Sequence, residues 1–243
     1  MEKIFEKLGR SLGSVINKGK WFYQSAFGSE KEALQAELRV SRDLVRKLKN
    51  EIKILDQSAG QMTLERIGNS LVEQLGETKR EFRFYLIESR DVNGFALPGG
   101  LVFVTSGLFQ KIKNNDDEIA FVLGHEMSHI NFHHLMNRII ANYSIQTITR
   151  LLRPGGTFGA LASEIISTLL RSGFSQENEF EADKAAVLLM SRANFNPSAS
   201  LSLLQKLQSS NEPHLQFHHY FSTHPPVEAR VQALTPLIRR KLT

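Results

Sequence analysis

The sequence predicts an α+β fold that is mostly helical, with one small antiparallel or mixed sheet and a helical N-terminal extension. Three observations carry this expectation. Long stretches place apolar residues three and four apart, as in Leu34, Leu38, Val45, Leu48, Ile52 and Leu55, the period of one helix face. Between Glu81 and Ile87 the period changes to two, with Phe82, Phe84 and Leu86 on one side, as a strand requires. The chain has 243 residues, 41% hydrophobic and 23% charged, which is enough for a real core in one domain plus an extension and excludes disordered and collagen-like classes. It contains no cysteine, so disulfide scaffolds, zinc ribbons, thiol nucleophiles and iron–sulfur clusters are excluded together. Any metal must be held by His, Asp or Glu.

Taken in order, residues 1–24 place Ile4, Leu8, Leu12, Val15 and Ile16 opposite Lys3, Lys7, Arg10 and Lys18 and end in Trp21-Phe22-Tyr23. This is a short basic amphipathic helix, which either packs its stripe on the body of the protein, the commoner use, or lies on a membrane surface. The seam of residues 31–55 follows, about three heptads broken by Ser41, and suits a helix hairpin or self-association. Residues 1–59 are read as the extension, ending at Ser58-Ala59-Gly60, and residues 60–243 as the main domain. In that domain the pattern predicts a helix over Met62–Leu75 and a strand over Glu81–Ile87. Two further strands, Asn93–Leu97 and Leu101–Thr105, are joined by a Pro98-Gly99-Gly100 turn. The rest reads as helices: Asp116 to about Asn137, another through Leu152, one ending at Leu170, Ser175–Ala193, Pro197–Ser209, and one after Pro226. The start lacks the apolar run of a secretory signal and no segment is apolar enough to span a bilayer. The expected location is therefore cytoplasmic, with peripheral contact at the inner face of a membrane as the alternative for residues 1–24. The net charge of +5 has no accompanying basic-aromatic cluster, so nucleic acid is not expected as a partner.

All eight histidines lie between positions 125 and 224. The first two belong to Gly124-His125-Glu126-Met127-Ser128-His129, His-Glu-x-x-His on a predicted helix. Four residues advance a helix by about 400°, so both imidazoles project from one face and can share one zinc ion. Glu126, about 100° round, reaches water at the metal from the side and can take its proton. A catalytic zinc needs a third protein ligand and an open position. Phe132 and Leu135 stand where a metzincin needs Gly and His. On an unbroken helix His133 lies about 12 Å from His125, so the third ligand comes from elsewhere. Glu177-Asn178-Glu179-Phe180-Glu181-Ala182-Asp183 places Glu179 and Asp183 one turn apart. Glu179 can ligate and Asp183 can accept the outer N–H of a ligand histidine; the competing reading is an ordinary acidic first turn of a helix.

These blocks, with His134 nine places after His125, Ser222-Thr223-His224-Pro225-Pro226, Arg230 and the Asn93–Leu108 strand region, resemble the zinc metallopeptidase family of HtpX, the CAAX prenyl proteases and the BepA type. The resemblance runs from about Met62 to Arg230 in four ordered blocks. It implies a zincin-like metallopeptidase core of the gluzincin kind. It further implies His125, His129 and Glu179 as ligands of one zinc per chain, Glu126 as base and Asp183 behind a ligand histidine. His224 would stand beside the metal, stabilising an oxyanion or capping the zinc at rest. Arg230 would steady that loop or the tetrahedral intermediate. Asn93, Gly94, Phe95, Ala96 and Leu97 would bind substrate as an added antiparallel strand. This chain has His133 where the family often has Arg, and none of the membrane helices that enclose the CAAX enzymes' site. Prenyl-protein processing is thus the weakest assignment. The expectation is a zinc endopeptidase acting on unfolded or membrane-associated polypeptides; the rival is a zinc-containing protein-binding or chaperone-like quality-control module that seldom cleaves.

Overall fold

The computed structural model describes residues 29–76, 80–142, 165–166, 168–169, 173–209, 224 and 227–242. Residues 1–24, the loop at Pro154, and His214 and His218 lie outside them. Helix α1 (Glu30–Glu51) starts at Ser29, whose side chain accepts from the Glu32 N–H, satisfying one of the open donors of a helix start. Helix α2 (Ala59–Val72) is capped in the same way by Ser58 and runs on into a 3-10 turn, Glu73–Leu75. Strands β1 (Arg83–Ile87), β2 (Gly94–Leu97) and β3 (Leu101–Thr105) form a three-stranded mixed sheet in the order β1-β3-β2, with β1 parallel and β2 antiparallel to β3. Then come α3 (Ser106–Ile112), α4 (Asp116–Asn131), α5 (His134–Asn142), α6 (Gln176–Arg192), α7 (Ala199–Ser209) and α8 (Val227–Leu242).

The predicted hairpin forms as read: Leu97 pairs with Leu101 across Pro98-Gly99-Gly100. Gly99 and Gly100 have φ of +85° and +90°, and a Cβ on Gly100 would come 2.1 Å from the Glu81 carbonyl oxygen. Only glycine fits there. The outer edge of β1 is covered. Buried Gln61 donates to the Phe84 carbonyl and accepts from the Leu86 N–H, each at 2.7 Å, and Ile54 makes an antiparallel bridge to Ile87. This leaves β2 as the sheet edge with no strand beside it among the described residues.

The seam in α1 is rotated from its expected setting. Leu44 and Leu48 enter the common core, but Leu38 is exposed while Glu37 and Ser41 are buried. The cause is polar: Glu37 accepts from the Gly99 N–H at 2.9 Å and pairs with Arg80 at 2.9 Å, so the helix turns a carboxylate inward where hydrophobic period alone would place leucine.

A second difference falls in α4. All thirteen residues from Glu118 to Ile130, polar and apolar alike, are buried, so this helix lies in the centre of the molecule. It stops at Asn131 and not near Asn137. His133 adopts φ +59°, a left-handed setting that costs a non-glycine residue free energy, and its Nδ1 lies 3.0 Å from Arg80 Nη2. A new helix starts at His134.

Helices α4 and α6 pack against each other more extensively than any other pair among the described residues. At their crossing, a Cβ on Gly124 would lie 3.4 Å from both Cα and Cβ of Ala186. A methyl group is accommodated at that distance and a larger side chain is not. Gly124→Ala should therefore melt close to the wild-type temperature. Gly124→Val should lose about 1–3 kcal/mol by overpacking, read from chemical denaturation.

Candidate metal centre

The α4–α6 contact brings the sequence motifs together. His125 Nε2 and His129 Nε2, one turn apart on α4, lie 3.1 Å from each other. Glu179, near the start of α6, places Oε1 3.3 Å from His129 Nε2 and Oε2 3.6 Å from His125 Nε2. His224 brings Nδ1 to 2.8 Å from Glu179 Oε1 and 3.4 Å from His125 Nε2. These four donor atoms all lie within 4.8 Å of one another and all four residues are buried. For ligand bonds of about 2.0–2.1 Å, the edge of a tetrahedron is about 3.4 Å, so the four atoms have the spacing of a single coordination shell.

The charges around the donor set also suit a cation. Glu126, Glu179 and Asp183 are buried carboxylates, and fully buried Arg230 is the guanidinium that faces two of them. With neutral imidazoles this leaves two negative charges in excess, which a divalent ion offsets. Of the ligand histidines, His125 is the one drawn toward its charged form by that excess. Burial opposes a charged His125, but Glu179 and Asp183 outweigh it and raise its pKa. Burial pushes the Glu126 carboxyl up against the pull of His224 and His125. Burial holds His129 well below the usual imidazole range. Glu179, although buried, is held well below the usual carboxylate range by His224 and His125.

The surrounding side chains orient the donors. Asp183 Oδ1 sits 2.9 Å from His125 Nδ1, in an off-axis contact that favours the proton on Nδ1 and leaves the Nε2 electron pair facing Glu179. Arg230 donates from Nε and Nη2 to the two Asp183 oxygens at 2.7 and 2.6 Å, and its Nη1 is 3.5 Å from Glu179 Oε2. Such a bidentate pair fixes both position and angle, and it holds Asp183 well ionised against burial. The His129 ring stacks on Phe174 at 3.8 Å, and the Arg138 guanidinium lies 3.6 Å over the other partner of that stack, the Phe174 ring. Burial lowers the Arg138 pKa to about 10. Glu126 has a carboxylate oxygen 3.9 Å from His224 Nε2.

Every predicted metal or catalytic residue therefore lies in one buried cluster. Of the predicted substrate-binding residues, Gly94–Leu97 form β2, which packs against α4, and Asn93 immediately precedes it; among the described residues, buried Asn93 Oδ1 lacks a hydrogen-bond partner. Four residues at the cluster went unassigned in the sequence: Phe174, Arg138, His134 and Glu181. The acidic run pointed to Glu181 only as a neighbour of Glu179, and His134 was expected to continue α4 away from the site.

A profile of peptidase family M48 matches residues 58–238. The chain belongs to peptidase family M48. It is 28% identical over 240 residues to the beta-barrel assembly-enhancing protease of Escherichia coli strain K12, covering 92% of this chain and 45% of that protein. The protein of that name from Yersinia pestis is 30% identical over 176 residues, 68% of this chain and 36% of its own length. The mitochondrial metalloendopeptidase OMA1 of Schizosaccharomyces pombe is 27% identical over 172 residues, 70% of this chain and 51% of its own. This M48 chain thus spans about half, or less, of the length of the curated relatives it matches. Among its described residues no helix is long and apolar enough to cross a membrane. The expected cytoplasmic placement gains no support from relatives that include a mitochondrial enzyme.

Removing one half of the Arg230–Asp183 pair strands the other as a buried charge. Arg230→Leu should cost about 3–5 kcal/mol in denaturant unfolding. Combining it with Asp183→Leu should recover part of that loss; full additivity of the two would contradict a direct pair.

Proposed function

We propose that this chain is a zinc-dependent endopeptidase that hydrolyses unfolded or membrane-associated polypeptides, with His125, His129 and Glu179 holding one zinc ion. The observation that carries the reading is the convergence of those three donors, with a fourth from His224, inside a cluster that also contains Glu126. Family membership supports the same class. Bound there, zinc supplies Lewis acidity toward a peptide carbonyl and lowers the pKa of water.

Glu126 takes the proton from the attacking water. Its burial favours the protonated form, which makes the ionised carboxylate a stronger base than an exposed one. The proton then passes to the leaving amine, as general acid–base catalysis requires. His224, whose Nδ1 lies 2.8 Å from Glu179 Oε1, would cap the donors in the resting enzyme and yield to a substrate carbonyl. Displaced from Glu179, its imidazole can face the developing oxyanion from the Glu126 side. Arg230 serves by holding Asp183 against His125, and its Nη1 contact extends that hold to Glu179.

The β2 edge supports strand addition as the mode of substrate binding. Among the described residues, Gly94, Phe95, Ala96 and Leu97 are paired with β3 on one side only, and the opposite edge of the sheet is already covered. A peptide added along β2 runs beside α4, the helix that carries the base. The capped, buried site favours one second reading, a protein-binding quality-control module with latent proteolysis. Peripheral membrane contact through residues 1–24 and self-association through residues 31–55 are further proposals; for the latter, Leu44 and Leu48 are committed to this chain's own core.

A casein-degradation assay separates the two readings. The wild-type protein should cleave casein, lose activity to a chelator and regain it with zinc. Glu126→Gln should retain zinc and fold but lose at least a hundredfold in rate, the lower span of a positioned base. Glu179→Gln should lose zinc by metal analysis. Cleavage by Glu126→Gln at the wild-type rate would overturn the mechanism.

A further inference from the structure

Two side chains beside the donors, His134 and Glu181, have no part in the chemistry assigned so far. His134 is buried, and its Nδ1 lies 3.0 Å from His129 Nδ1. Its Nε2 lies 3.1 Å from Glu181 Oε2, on a carboxylate that is only 9% exposed. On a continuous helix residues 129 and 134 would be about 140° apart around the axis and 7.5 Å apart along it, out of reach of such a contact. The break at Phe132-His133, with the left-handed backbone at His133, folds His134 back onto His129. The local cost of that backbone setting is thereby linked to a specific contact.

We propose that Glu181 and His134 form a two-residue relay that fixes the tautomer and the aim of His129. The argument is one of proton positions. A carboxylate accepts and cannot donate, so Glu181 requires a proton on His134 Nε2. A neutral His134 then carries an electron pair on Nδ1, which requires a proton on His129 Nδ1. His129 Nε2 is left with its electron pair facing Glu179 and the other donors, the form that can ligate a metal. In the opposite tautomer His129 would instead donate from Nε2 to Glu179 Oε1, 3.3 Å away, and close the site to a cation. Glu179 and Glu181, two residues apart on α6, thus hold opposite ends of the same pair of imidazoles. Asp183 has the matching place behind His125, so each ligand histidine of α4 has its own carboxylate-based orienter, one direct and one through a second imidazole. His134 and Glu181 act through His129 and are positioning residues.

The relay rests on the metal-centre reading but can be tested without metal. In the metal-free protein, long-range proton–nitrogen NMR of the imidazoles should find His129 protonated at Nδ1 and His134 at Nε2. His134→Phe removes the acceptor at similar volume and should move the His129 proton toward Nε2. It should also weaken zinc binding about 10–100-fold in chelator competition. His134→Asn returns an acceptor near the Nδ1 position and should restore most of that affinity. Glu181→Leu should match His134→Phe, and the double variant should lose no more than either single one. If His134→Phe does not fold, Glu181→Leu carries both readouts. A wild-type His129 protonated at Nε2, a doubly protonated His134, or equal affinities for the Phe and Asn variants would overturn the relay. If the wild-type protein bound no zinc, the proposed function would fail, and the NMR result would still decide the relay.

Discussion

The structure depends on a charge imbalance buried at the crossing of α4 and α6. Three carboxylates, Glu126, Glu179 and Asp183, are buried together, the latter two facing the Arg230 guanidinium, in a space from which water is nearly excluded. An uncompensated charge in such a place costs several kcal/mol even after relaxation. The fold tolerates it because the imidazoles of His125, His129 and His224 surround the excess, and because their electron pairs converge where a divalent cation would complete the balance. Much of the architecture can be understood as supplying that geometry: a glycine at the helix crossing, an arginine from α8 reaching Asp183 of α6, and a helix break that turns His134 back toward the donors.

The same constraint explains why the central helix is buried on all sides. An ordinary amphipathic helix has one apolar face, whereas α4 is enclosed over most of its length, with Glu118, His125, Glu126, Ser128 and His129 among its buried residues. Two of these polar groups bond away from the donor cluster. Ser128 donates to the Gly124 carbonyl at 2.7 Å, and Lys206 on α7 donates to Glu118 at 2.6 Å. Outside the centre the buried polar contacts have a different task. Glu37, Arg80 and His133 tie α1 and the Gly99 turn to the end of α4, so the N-terminal helix reaches within one residue of the imidazole behind His129.

Much of this was legible in the sequence where a residue's partner lies one helical turn away. His125 and His129, or Glu179 and Asp183, declare a shared face by their spacing alone, and the Pro-Gly-Gly turn declares its hairpin. The mostly helical α+β class followed from the two periods. What the sequence could not disclose depends on contacts across the fold. The break after Asn131 has no proline or glycine to mark it, because a left-handed histidine held by Arg80 makes the turn. The inward rotation of α1 reflects a carboxylate drawn to a backbone N–H 62 positions away. Glu181 and His134 become meaningful only once that break brings them together across 47 positions.

The most direct test is X-ray absorption at the zinc edge on purified protein loaded with one equivalent of zinc. A single four-coordinate site with only nitrogen and oxygen ligands and the scattering pattern of three imidazoles would match His125, His129, His224 and Glu179 as its shell. A six-coordinate oxygen shell, as for zinc loosely held at the surface, would contradict the account.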